Sequence, residues 1–297
     1  MGNTNVSEDE TNVMENVDVI SKYTYEGLGT FKIGKEGSTG AVFLLFESNY
    51  HITNKGLVES DLQQLRKINQ IKHSCSLYRY TVAESNNLCF ENLVMNLIFE
   101  HYSTSLEQLI KNSNSVVSEK KIWLIIQDIL AYLIELYDMG YENGDLQPKN
   151  ILFNNNEVVK IACPLLYTSY HTAYEFRLAN ESYKSTFAPE HLEGFEYRIQ
   201  NPKLNQEKAD VFSLGICLLS LASKEDFQYF YDFTGNTILF DRIKISMADI
   251  VKNGYSDRLF HFINQCLKEN IGTRATLRDL QKLSQTKKDV KSVNQFH

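Results

Sequence analysis

The segment Tyr141-Glu142-Asn143-Gly144-Asp145-Leu146-Gln147-Pro148-Lys149-Asn150-Ile151-Leu152-Phe153 collects a carboxylate, an ammonium and a side-chain amide within six residues. Glycines cluster twice. Gly27-Leu28-Gly29-Thr30-Phe31 comes first, and Gly34-Lys35-Glu36-Gly37-Ser38-Thr39-Gly40 follows. Glycine-rich loops can cradle phosphate on backbone N–H groups, although a single cluster is weak support for that chemistry. Glu36 makes the second cluster repel phosphate, so it is expected to be only a turn between strands. The cysteines (Cys75, Cys89, Cys163, Cys217, Cys266) are scattered, odd in number and never at C-x-x-C spacing. Neither a zinc centre nor a disulfide framework is expected; free thiols in a reducing, cytoplasmic compartment are. The chain opens Met1-Gly2, as N-myristoylation at Gly2 requires, but the usual Ser/Thr is displaced by one to Ser7.

The elements that must position these groups fit ordinary globular composition. The 297 residues are 43% hydrophobic and 23% charged, with net charge −7. That excludes a disordered or collagen-like chain, and an acidic balance disfavours nucleic acid as a partner. No apolar run approaches the ~18–20 residues that span a bilayer, so no membrane span is expected. Residues 1–24 read as a flexible acidic lead and 286–297 as a short basic tail. Short strand-like runs occupy Tyr25–Ile33, Ala41–Phe46, Ser76–Glu84 and Leu93–Phe99, with one helical stretch at Ser60–Ile71. Beyond residue 105 the chain turns helical. Ser118 can cap a helix with the stripe Ile122, Ile126, Ile129, Leu133, Leu136, stopped by Gly140. Asp210–Ser223 is apolar nearly all round and reads as buried.

Tyr141–Phe153 resembles the catalytic loop of eukaryotic protein kinases, H-R-D-L-K-P-x-N-I-L, and lies between a long helix and the strand-like Val158–Ala162. Further blocks agree in order: Leu97–Tyr102 with the last N-lobe strand and hinge, Phe187-Ala188-Pro189-Glu190 with A-P-E, Asp210-Val211-Phe212-Ser213-Leu214-Gly215 with D-x-W-S-x-G, and Arg274 with the Arg that pairs the A-P-E Glu. The resemblance implies an α+β, bilobal fold over residues 25–285, with a β-rich N-lobe at about 25–100 and a helical C-lobe at about 104–285. It implies Asp145 at the base position (where, with the other losses below, a structural role accepting backbone hydrogen bonds is expected rather than use as a base), Asn150 as a metal ligand, Phe99 and Leu152 against adenine, and Gly27 and Gly29 in the phosphate loop. Glu190, Arg274 and Asp210 take structural roles.

Departures from the pattern are as informative. Cys163 stands where D-F-G has its metal-binding Asp, and a thiol is a soft partner for a hard cation. No Lys falls between Ala41 and Thr53, so Leu44, Leu45 or Phe46 replaces the strand-3 Lys. Gln147 replaces the catalytic-loop Lys, and Asn143-Gly144 replace His-Arg. The main expectation is therefore a catalytically inactive member, a pseudokinase acting as scaffold or allosteric partner of another protein, such as an active kinase or a larger assembly. No cofactor is expected, with ATP and magnesium bound weakly if at all. Two alternatives are an atypical kinase using Lys32 or Lys35 for phosphate, and a nucleotide-binding switch without transfer.

Overall fold

The structure, a computed structural model, describes residues 7–8, 17–25, 29–37, 39–87, 90–112, 116–162, 173–200 and 202–285. The chain divides into two units, residues 1–103 with 152–179, and residues 104–151 with 180–297.

A six-stranded sheet dominates the first unit. Its strands are β1 (Ser7–Glu8), β2 (Val17–Tyr25), β3 (Gly29–Glu36), β4 (Val42–His51), β5 (Leu77–Asn87) and β6 (Phe90–Glu100), in the order β1-β5-β6-β4-β3-β2. Neighbours are antiparallel except for β1, which runs parallel to β5. Two expectations change here. Tyr25–Ile33 is not one strand, because the chain reverses within it. The lead to residue 24 also contains β2, an edge strand whose Val19 and Ile20 are exposed. Pairing with β3 holds it there rather than burial, which explains why its composition reads as loop. The second glycine cluster is not wholly a turn: Gly34, Lys35 and Glu36 end β3, and Gly34 and Lys35 pair with Phe43 and Val42 of β4.

Helix α1 (Lys55–Ile68) begins earlier than its periodicity suggested and buries Val58, Leu62, Leu65 and Ile68. On β6, Leu93, Met95, Leu97 and Phe99 are buried, and they pair with Tyr50, Ser48, Phe46 and Leu44 of β4. Alternation along a strand makes this one face of the sheet.

The second unit is helical. Its first long helix, α2 (Glu119–Asp138), is capped by Ser118, whose hydroxyl accepts from Lys121 N. The expected stripe is buried, and Gly140, at φ +80°, ends the element. Trp123 lies edge-on to Phe262 under the guanidinium of Arg258, and its Nε1 donates to Glu119. Helix α3 (Pro189–Glu196) precedes α4 (Gln206–Ser223), which is buried from Ala209 to Ala222. Gly215 lets the chain at Cys266–Leu267 pass close to α4: a Cβ there would stand 2.7 Å from Cys266 Cβ and Leu267 Cδ2. Gly215→Ala should therefore destabilise by about 1–3 kcal/mol through overpacking. A urea midpoint equal to wild type would show that the neighbours give way.

Candidate active site

The loop after α2 holds its carboxylate firmly. Asp145 is 4% exposed and accepts from four side chains: Gln147 Nε2 (2.6 Å) and Ser185 Oγ (2.6 Å) on Oδ1, and Asn150 Nδ2 (2.7 Å) and Tyr183 Oη (2.8 Å) on Oδ2. Asn150 Nδ2 also donates to the Asp145 carbonyl at 2.9 Å, closing the loop on itself. Gln147 Nε2 donates a second time, to Tyr183 Oη at 2.9 Å, while its buried Oε1 has no partner. Lys149 lies over the Tyr183 ring, 4.7 Å from the centroid. The sequence signals Asp145 and Asn150 by spacing. It gives no signal for Tyr183 and Ser185, which stand 38 and 40 positions away.

Asp210 at the head of α4 fixes the loop backbone from beneath. It accepts from Gly144 N at 3.0 Å, Asn143 N at 3.3 Å, Gln206 Nε2 at 3.1 Å and Tyr137 Oη at 2.7 Å. Gly144 sits at φ +71°, a conformation that suits glycine and turns its N–H toward that carboxylate. Burial pushes the Asp210 carboxyl up to about 7, against these donors, which pull it down. Nearby, His191 Nε2 faces Gln206 Oε1 at 3.3 Å, and its Nδ1 accepts from Ala188 N. Burial pushes His191 down to about 4.

The two groups oppose each other in pH. The stability His191 contributes is full above its unfolded value of 6.5 and is lost as pH falls toward about 4, by roughly 3 kcal/mol. The raised Asp210 carboxyl favours the folded state at low pH, and that contribution is lost as pH rises from about 4 to about 7. His191→Gln removes the first slope only. Urea unfolding from pH 6.5 to 4 should show the variant gaining stability relative to wild type; parallel curves would contradict this.

Glu190 and Arg274 meet as the motif spacing implied. The guanidinium donates to Glu190 Oε1 at 2.7 Å and Oε2 at 3.1 Å, and its side chain is 0% exposed.

In the first unit, β4 carries no Lys, and Leu44, Phe46 and Ser48 lie on the face shared with Phe99. Lys32 pairs across the sheet with Leu45, the residue next to Leu44, so it lies on the opposite face from Phe99. There it binds Glu47 at 2.7 Å. Lys35, two residues beyond Ile33 (the partner of Leu44), shares the face of Phe99 and is exposed. Of the two lysines the sequence offers for phosphate, the fold thus commits Lys32 to a cross-strand ion pair. Phe99 is buried and Leu152, on the strand Ile151–Phe153, is half-buried. Gly29 opens β3, while Gly27 and Cys163 lie outside the described residues.

The described residues contain no group of three His, Cys, Asp or Glu side chains that could hold a metal ion. Asn150 supplies an amide oxygen, and the neighbouring metal position in sequence is the Cys163 thiol. A thiol is a poor ligand for magnesium, which prefers carboxylate and other oxygen ligands. No described helix is long and apolar enough to cross a membrane.

Comparison with known proteins gives this geometry its family. Residues 30–285 match the protein kinase domain. The serine/threonine-protein kinase pakH of Dictyostelium discoideum is 27% identical over 221 residues, 70% of this chain and 40% of its own length. Serine/threonine-protein kinase ICK of Rattus norvegicus is 29% identical over 147 residues, 48% and 23% of the two chains. Serine/threonine-protein kinase cst-1 of Caenorhabditis briggsae is 27% identical over 195 residues, 64% and 37%. The chain thus covers less than half the length of each of these relatives. Their names overturn the expected inactive scaffold, since each is a serine/threonine kinase, and they favour the alternative of an atypical kinase. A loop closed on Asp145, an ion pair from Glu190 to Arg274 and a domain match from residue 30 to 285 together make this chain a member of the protein kinase family.

Proposed function

We propose that the chain is an atypical serine/threonine protein kinase that moves the γ-phosphoryl group of ATP, slowly, to a Ser or Thr hydroxyl on another protein. The observation that carries this is the environment of Asp145. Its carboxylate already accepts O–H from two hydroxyls, at 2.6 Å and 2.8 Å. That is the hydrogen bond a base makes to the hydroxyl it deprotonates. In the reaction the substrate hydroxyl takes such a place and passes its proton to Asp145. Its oxygen forms the new bond to phosphorus as the bond to ADP breaks. Asn150 keeps the carboxylate oriented, and Asp210 keeps the loop backbone still. Both act by positioning, the main protein contribution to phosphoryl transfer.

The rate should be low because β4 offers no cation, and charge-stabilising groups at developing negative charge each contribute about 10²–10³ in rate. The buried cysteines Cys75, Cys217 and Cys266, unbridged by disulfides among the described residues, suit a reducing compartment. The test uses γ-labelled ATP with magnesium and matched peptides carrying Ser, Thr or Ala at one position. Label on the Ser and Thr peptides alone is expected. Absence of label on all three at millimolar ATP would refute the assignment.

A further inference from the structure

We propose that a row of three cations, Lys149, Lys184 and Arg242, recognises an acidic segment of the protein that receives the phosphoryl group. The proposal rests on the kinase reading above and adds to it the class of acceptor.

The row is continuous and starts beside Asp145. Lys149, four residues on in the same loop, has its ammonium 4.7 Å from the centre of the Tyr183 ring. The residue after Tyr183 is Lys184, which is exposed. Its ammonium lies 5.5 Å from the centre of the Phe233 ring and donates to Gln228 Oε1 at 3.1 Å. Gln228 is followed by Tyr229, whose ring lies 4.7 Å from the Arg242 guanidinium and whose carbonyl accepts from Arg242 Nη1 at 2.9 Å. Each cation thus rests on an aromatic face, and two of them also on a neutral oxygen. Among the described residues none of the three forms an ion pair with a carboxylate. The carboxylates nearest in sequence to Gln228, Phe233 and Arg242 are engaged elsewhere. Asp226 accepts from Gln228 N, Asp232 accepts from Thr234 N and Gly235 N, and Asp241 pairs with Lys244. A ring face holds a cation in place but brings no opposite charge. Three positive charges therefore stay available to a ligand, in a chain whose net charge is −7. Such a stripe attracts acidic partners and turns basic ones away. An extended peptide advances about 3.3 Å per residue, so a short acidic run beside the acceptor Ser or Thr can follow the row.

The test uses the full chain and fluorescent Ser peptides that differ only in their flanks: a run of Glu before the serine, a run of Glu after it, or Gln throughout. By anisotropy, at least one Glu peptide should bind about tenfold tighter than the Gln peptide, as expected of three exposed ion pairs together. Raising NaCl to about 0.5 M should remove most of that advantage. Lys184→Gln with Arg242→Gln should cut it to about twofold. Lys184→Glu with Arg242→Glu should favour a Lys peptide instead. Lys244→Gln removes a cation already paired with Asp241 and should change nothing. With γ-labelled ATP, kcat/KM should follow the same order as binding. Glu peptides that bind no tighter than the Gln peptide overturn the proposal. So does an advantage that survives the double replacement by Gln, or transfer that ignores the flanking Glu. Glu-selective binding that the double replacement abolishes, with no label on any peptide, leaves the surface standing and removes the kinase assignment instead.

Discussion

Arg274→Ala should lower the unfolding free energy by about 3–5 kcal/mol, the largest stability loss expected of any single substitution here. A guanidinium has five N–H donors, and each has an acceptor in this structure. Nε donates to Lys268 O at 2.9 Å. Nη1 donates to Glu190 Oε1 at 2.7 Å and Lys208 O at 2.8 Å, and Nη2 to Glu190 Oε2 at 3.1 Å and Glu269 O at 3.2 Å. The plane also lies 5.0 Å from the centre of the Phe212 ring. Removing the side chain leaves a cavity, three carbonyls without this donor and a carboxylate without its cation. For a domain of this size, each kcal/mol moves Tm by about 2–4 °C, so a fall of roughly 10 °C is expected by calorimetry. Arg274→Lys keeps a charge but not the planar fork, and should recover less than half of the loss. Glu190→Gln keeps the shape and one acceptor, and should cost less than Arg274→Ala. Equal losses for the two would mean that the carbonyl contacts of Arg274 contribute nothing.

Asp145→Asn should reduce phosphoryl transfer by about 10³, since a positioned general base contributes about 10²–10⁴. The substitution preserves shape, so its structural effect can be foreseen. One carboxylate oxygen becomes an NH₂ group facing two donors. If it replaces Oδ1, it meets Gln147 Nε2 and Ser185 Oγ; if it replaces Oδ2, it meets Asn150 Nδ2 and Tyr183 Oη. The hydroxyls of Ser185 and Tyr183 can rotate to accept, but the amides of Gln147 and Asn150 accept only by flipping, which gives up the bond of Gln147 Nε2 to Tyr183 Oη or of Asn150 Nδ2 to the Asp145 carbonyl. A stability loss of about 1–3 kcal/mol should accompany the rate loss. Melting curves and rates measured on the same sample separate the two. A protein that melts lower but transfers at the wild-type rate would show Asp145 to be purely structural.

Some of this site is legible before any fold is known, and the reasons are local. Asp145 and Asn150 lie five residues apart on one loop, so their spacing carries the geometry. Glu190 and Arg274 are legible from motif order despite their distance in sequence. The two hydroxyls on Asp145 are not, because Tyr183 and Ser185 reach the loop through tertiary contacts such as Thr186 Oγ1 to the Leu146 carbonyl and Ser213 Oγ of α4 to the Thr186 carbonyl, and no local spacing encodes that. Strand β2 is hidden for another reason: its stability comes from pairing with β3, and exposed Val19 and Ile20 break the alternation that marks a half-buried strand. The expected inactive scaffold came from counting lost groups at positions 147 and 163 and on β4. Such a count says what is missing from phosphate binding. It does not address the carboxylate that remains, which is held in place by four donors, nor the kinases that this sequence resembles.

The most direct measurement is single-turnover transfer from γ-labelled ATP to a Ser peptide, with purified full chain in excess and Asp145→Asn prepared in parallel as the blank. Label should accumulate on the serine with wild-type protein at a rate about 10³ above the blank. Equal label from the two proteins, or none from either, would contradict the assignment of this chain as a working kinase.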